Sequence, residues 1–540
     1  MTVDDRAAAS RRMGLHTRPY AYLEVGRPEF DDPQFDGPQF AGPEFGGLQF
    51  AGPQLTDLET VETHSATLYF SGDRVYKVKK PLDLGFLDFR TREAREAACR
   101  AEVELNRRLA PDVYLGVADI RNSDGVLVDH MVVMRRMPAN RRLSTMITMG
   151  RRVDGQLRAL ARLLAAFHER CATSPEIAQA GSLATLDALW RESLTGLAPF
   201  RGTLIDADVV DEIGRLALRY LAGRAPLLAE RQRAGRIRDG HGDLLADDIY
   251  CLDDGPRVLD CIEFDRRLRL GDVLGDVAFL AMDLERLDVP EAAEKFLSWY
   301  GEFSAETHPP SLQHLYIAYR ALVRAKVSCI RARQGAPEAA RQARKLAAIA
   351  LGHLRRGRVR LVLVGGLPGT GKSTLAGKLA DAEDGWVLLR SDVVRKELAG
   401  LPADAHVPAG LFEGHYDAQA TDATYTELLR RASHAMERGE NVVLDASWST
   451  AGYRTAAARL AEQTATDLVE LRCVTSPEVA AARIARRAAV GEDPSDATLA
   501  VHQALAARAQ PWPTAGVIQT AVPIGEALLA AQRHVNSVYR

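Results

Sequence analysis

The run Gly366 to Ser373 spells G-L-P-G-T-G-K-S, directly after the apolar stretch 361 to 364 and directly before a helical one. Its glycines let a loop turn backbone N–H groups inward, and the following helix adds its positive end, so a polyphosphate can be held with few side chains. The expected nucleotide-binding residues are Gly366, Pro368, Gly369, Thr370, Gly371, Lys372, Ser373 and Thr374. Lys372 should reach the outer phosphates of ATP, and Ser373 should ligate Mg2+.

Apolar strands that end in a carboxylate complete this candidate site. Asp445 closes the run NVVLD and is expected beside the metal, although a helix cap would use the same residue. Asp392 and Arg395 follow the run WVLLR; Asp392 is expected to accept a proton from an acceptor hydroxyl, and Arg395 to hold acceptor or phosphate. Ser391–Asp392 is also a good helix start. Farther on, Arg483, Arg486 and Arg487 recur at helical spacings of three and four. They read as a closing lid, with Arg483 and Arg487 meeting the transferring phosphoryl group, or as a solvated face. Together these residues resemble the small P-loop kinases of the zeta-toxin, gluconate-kinase and polynucleotide-kinase group, over residues 358 to 540. That resemblance implies ATP and phosphoryl transfer and leaves the acceptor unnamed.

A second constellation, HGDLLADDIYCLDDGPRVLDCIEFD (241–265), resembles the catalytic region of the aminoglycoside phosphotransferase family, whose loop reads H-G-D-L-H-x-x-N. The likeness covers about 60 to 345. It implies that Asp243, on a tight His-Gly turn, orients a hydroxyl nucleophile. The family's asparagine is here Asp248 and its histidine Leu245. Its magnesium aspartate falls on Glu263, with Asp260 and Asp265 as near alternatives, and Asp276 is implied to brace the loop. Lys77 is implied as the phosphate lysine, with Lys79 on the same side of its strand, and Glu102 as the ion-pair partner. No Gly-x-Gly-x-x-Gly loop accompanies them. His168 reads as a packed helix histidine rather than a ligand.

These residues need scaffolds, and 540 residues are too many for one core. Residues 1–56 carry a five-residue repeat with phenylalanines at 30, 35, 40, 45 and 50 and a proline in nearly every unit. That period suits neither helix nor strand, so a disordered or extended tail is expected, either solvated or docked through its phenylalanines. Residues 57–138 read as a small α+β lobe: a hairpin turning at Ser71 to Asp73, a helix from about Thr91 to Leu109, and two strands within GVLVDHMVVMRRMP (125–138). Residues 139–345 read as a helical lobe interrupted by the 241–265 hairpin, and 346–540 as an α/β domain of four parallel strands. The expected fold is thus a two-lobed kinase-like α+β domain followed by an α/β P-loop domain.

Composition narrows the setting. Of 69 basic residues only nine are lysines, so a retained lysine points to a place where the wide guanidinium fork would not fit. Net charge is −3, without a basic stripe, which leaves nucleic acid only as a small 5′-hydroxyl substrate. Six scattered cysteines suggest neither disulfides nor a zinc site, and no long apolar run suggests a membrane span. Cytoplasmic location, ATP, Mg2+ and a small hydroxylated acceptor are the resulting expectations.

Overall fold

The computed structural model describes residues 59–537 apart from 64, 84–87, 122–125, 383–384, 403–416 and 491–497. The Phe-repeat tail, and any docking by it, lies outside the described residues.

Five antiparallel strands form the first sheet: β1 (Glu59–Glu62), β2 (Ala66–Ser71), β3 (Arg74–Lys79), β4 (Tyr114–Arg121) and β5 (Leu127–Arg135), in the order β1-β2-β3-β5-β4. The hairpin at Ser71 to Asp73 forms as expected. The expectation of two strands within 125–138 is corrected: Leu127–Arg135 is one nine-residue strand, and its partner is the upstream Tyr114–Arg121. No Gly, Pro or Asn interrupts 127–135, and the lone Asp129 is tied by Arg95, so the chain does not reverse there. Thr91 caps the helix Arg92–Asn106, its hydroxyl accepting from the Ala94 amide at 3.2 Å. That helix buries Arg95, Ala98, Cys99, Glu102, Val103 and Asn106, a face at spacings of three and four that turns Glu102 toward β3.

The helical lobe follows, with two small two-stranded sheets among its helices: β6 (Ile237–Asp239) with β9 (Leu270–Asp272), and the hairpin of β7 (Ile249–Leu252) with β8 (Gly255–Val258). The expected boundary at 345/346 falls inside the continuous helix Ala339–Arg356, whose buried leucines join both sides.

The second large sheet is wholly parallel: β10 (Arg360–Gly365), β11 (Trp386–Arg390), β12 (Asn441–Asp445), β13 (Asp467–Val474) and β14 (Gly516–Gln519), ordered β11-β12-β10-β13-β14. Four strands were expected and five are present. The missing one, GVIQ, is a four-residue edge strand too short to carry a periodic signal. Central β10 is buried at every position, the pattern of a parallel strand covered on both faces. The chain leaves β10 first to one side and later to the other, so the ligand crevice of an open α/β sheet belongs at its C-terminal end.

One apolar cluster, including Leu216, Leu354, Leu361 and Leu428, runs from the helical lobe into this α/β unit. At the seam, fully buried Arg224 donates to the Thr464 carbonyl at 2.9 Å and lies over the Tyr220 ring. Gly223 is backed so closely that a Cβ would stand 2.0 Å from the Thr464 oxygen. Gly223→Ala is expected to cost about 2–3 kcal/mol by forcing the seam apart. A urea midpoint equal to that of the parent would contradict this.

Candidate active sites

The P-loop follows β10 as its sequence requires. Gly366, Gly369 and Gly371 all take positive φ, and at Gly369 (φ 81°) a Cβ would also sit 2.6 Å from the Ala480 carbonyl. Thr370 ties the loop to itself through the Leu367 carbonyl at 2.7 Å, and Thr520 donates to the Thr370 carbonyl at 2.5 Å. No sequence signal marked Thr520. Lys372 and Ser373 open the helix Lys372–Asp381. Strand register pairs Asp445 with both Val364 and Arg390, which sets this carboxylate beside the start of the loop.

Asp445 is buried, and the Arg390 Nε donates to its Oδ2 at 3.3 Å. Burial pushes the carboxyl above its usual value against the pull of Lys372, Ser373 and Arg390, while nearby Asp392 pushes it the same way. Its Oδ1 is buried without a hydrogen-bond partner among the described residues. A hard dication fits such a spot: an unpaired carboxylate oxygen next to a serine hydroxyl at a phosphate loop. A bound Mg2+ would be held there by Ser373 and Asp445 and would neutralise phosphate charge.

A cleft of about 590 Å³ brings together Gly369, Lys372, Thr374, Arg390, Arg483, Arg486 and Arg487. All three arginines of the helix Pro477–Val490 therefore line the cleft of the phosphate loop, one more than spacing alone demanded. Arg483 is held by the Thr520 carbonyl at 2.6 Å. Asp392 lies in the first turn of the helix Ser391–Leu398, and Arg395 on that helix donates to the Thr421 hydroxyl at 3.3 Å.

In the first site, alternation along β3 turns Lys77 and Lys79 to one buried face. Both reach Glu102: Lys77 at 2.8 Å and Lys79 at 2.5 Å, one on each carboxylate oxygen. They then part. Lys77 also binds Asp260 Oδ1 at 2.7 Å, whereas Lys79 is sealed from solvent against Glu263. Asp260 adopts φ 64°, its amide donates to the Tyr114 hydroxyl at 3.1 Å, and half of its side chain is open. Lys77 holds its carboxyl below the usual range. Burial raises the Glu263 carboxyl despite Lys79. Asp265 instead caps the short turn 266–268 through the Arg267 amide.

The loop 241–248 hangs from Asp276, which accepts the His241 amide at 2.7 Å and the Gly242 amide at 2.8 Å. His168 is packed behind it, as its helical setting implied, between Asp276 and the Tyr300 hydroxyl. Burial raises the Asp243 carboxyl to about 6, against Arg324 and with a push from Asp260. Asp248 is driven well above its usual value by burial and then by Asp260 and Asp243. Asp260 thus pushes on both Asp243 and Asp248, and a dication held by Asp248 and Asp260 would relieve that repulsion.

This crowding has a measurable consequence. With its folded pKa raised from 3.8 to about 6, ionised Asp243 opposes folding, fully so above pH ~6 and not at all below pH ~4. Asp243→Asn is therefore expected to stabilise metal-free protein by about 2 kcal/mol near neutral pH, a gain that disappears near pH 4. Thermal melts in chelator at both pH values check this; destabilisation at neutral pH would refute it.

Fold and sites define a phosphotransferase, a kinase-like α+β module joined to a P-loop kinase module. Residues 72–315 match the phosphotransferase enzyme family and residues 361–512 an AAA domain family. Uncharacterized proteins of Mycobacterium tuberculosis and Mycobacterium bovis are each 43% identical over 466 residues, covering 86% of this chain and 93% of theirs. The chain belongs to the family these proteins form, with a phosphotransferase module followed by a P-loop module. Among solved structures, a choline/ethanolamine kinase family protein from Mesorhizobium loti is 17% identical over 57% of this chain and 87% of its own, with TM-score 0.35. A gluconokinase from Sinorhizobium meliloti is 18% identical over 33% of this chain and 93% of its own, with TM-score 0.25. Among the described residues no helix is long and apolar enough to cross a membrane, and all six cysteines are free and buried.

Proposed function

We propose that the P-loop module transfers the γ-phosphoryl group of ATP to a hydroxyl of a small acceptor, a sugar, an aminoglycoside or similar, in the cytoplasm. The observation that carries this reading is the unpartnered oxygen of Asp445, whose carboxylate is held by Arg390, a residue that lines one cleft with Lys372 and the three arginines of the helix Pro477–Val490. Lys372 and the loop amides hold the phosphates, and Arg483 and Arg487 meet charge as it develops on the transferring group. Asp392 takes the acceptor proton and Arg395 orients the acceptor.

The N-terminal module is a second site of the same kind. Asp243 orients the hydroxyl, and Lys77, fixed by Glu102, faces the phosphates. Asp260 and Asp248, rather than Glu263, hold the metal, because Glu263 is already engaged by Lys79 and closed off from the cleft.

One observation favours another reading of this module. Lys77 is bound at once to Glu102 and Asp260, a closed network that suits a silent ligand-binding domain controlling the P-loop site. Screening a metabolite panel with labelled ATP against the parent and single-site variants tests both readings, with the phosphorylated product read by mass spectrometry. ATP consumption that is equal with and without every acceptor, and no phosphorylated product, would make the chain an ATPase instead.

A further inference from the structure

A second cleft, of about 470 Å³, opens between the helices Asp154–Arg170 and Pro290–Ser304 beside β6. Neither phosphoryl-transfer site uses it. Arg162, Arg236 and Arg238 line it, and the acid among its lining residues, Glu169, is 78% exposed and 3.7 Å from Arg238. Arg238 spends its N–H groups on the carbonyls of Gly235, Glu169 and Cys171, which fixes its fork in place. Arg162 and Arg236 have no carboxylate partner among the described residues; Arg162 lies over the Phe303 ring, 4.9 Å from its centre. Uncompensated guanidinium forks beside an aromatic face make a receptor for an oxyanion with an apolar or planar body.

The inner wall of this cleft is His168 and Tyr300, both buried. His168 Nδ1 is 2.9 Å from the Tyr300 hydroxyl and its Nε2 is 3.2 Å from Asp276 Oδ2. The same Asp276 oxygen accepts the His241 amide, and its other oxygen accepts the Gly242 amide. Two side chains therefore separate the cleft from the backbone that carries Asp243.

We propose that this cleft binds a phosphomonoester of a small, partly apolar molecule, and that its occupancy steadies the loop 241–248 through His168 and Asp276. The phosphate dianion matches the excess of two positive charges left after Glu169 offsets one arginine. The effector role rests on reading 241–248 as a working catalytic loop; the binding site does not.

The experiment uses the full chain carrying Lys372→Ala, so that the phosphate loop does not compete for the probe. Phenyl phosphate, benzoate and inorganic phosphate are titrated by calorimetry, and amide hydrogen exchange is followed across 239–248. Phenyl phosphate should bind saturably and more tightly than either other probe. Adding Arg162→Ala, at an exposed position, and Arg236→Ala, at a half-buried one, should weaken it about tenfold or more, with a thermal melt checking that the fold is kept. Exchange at His241 and Gly242 should slow on binding and should not slow in the triple variant. Unchanged affinity in the triple variant, or benzoate binding as tightly as phenyl phosphate, would overturn the site. Binding without altered exchange would overturn the effector role. Because neither readout needs turnover, both outcomes are separate from failure of the catalytic proposal.

Discussion

Lys372→Ala is expected to lower phosphoryl transfer at the P-loop site by about 10³-fold or more while leaving the fold intact, the scale of a lost charge contact to a transferring phosphoryl group. Lysine is a compact cation at the start of the helix that follows the phosphate loop, retained in a chain that otherwise favours arginine. Its charge sits in the first turn of the helix Lys372–Asp381, where the dipole disfavours a cation, so removing it should not reduce stability. Turnover with labelled ATP, alongside a thermal melt, reads both effects. Transfer at the parental rate would show that the P-loop does not hold the reacting phosphates.

The second large effect isolates the N-terminal module. In the Lys372→Ala background any remaining transfer belongs to the first site, and adding Asp243→Ala should reduce that remainder by about 10²- to 10⁴-fold, the range for a positioned acid–base group. If Lys372→Ala alone removes all transfer, the N-terminal module is silent and the Lys77–Asp260 contact is a lock rather than a resting state. The paired behaviour of Asp243→Asn sharpens this: a substitution that stabilises the metal-free fold while abolishing transfer marks a carboxylate kept at a cost to stability for its chemistry.

Legibility in the sequence followed how local each feature was. The P-loop could be read outright because its residues are contiguous and its mechanism is mostly backbone. The hairpin at Ser71 to Asp73 carried its own turn. The strand Tyr114–Arg121 went unread because its partner, the apolar run 127–135, absorbed the whole signal. The edge strand Gly516–Gln519 is too short for any periodicity. In the first site, alternation along β3 left Lys77 and Lys79 equivalent, since both point to one face. Only the approach of Asp260 to one and Glu263 to the other distinguishes them.

The sequence by itself determined that two phosphate-handling modules follow one another in this chain, because a glycine-rich loop and an His-Gly-Asp turn act through neighbouring residues. Tertiary structure alone decided which carboxylate faces Lys77, how many arginines reach the phosphate cleft, and that the two modules share one apolar core. Those outcomes depend on side chains brought together from distant segments and on the charge and burial around them, which spacing along a chain does not encode.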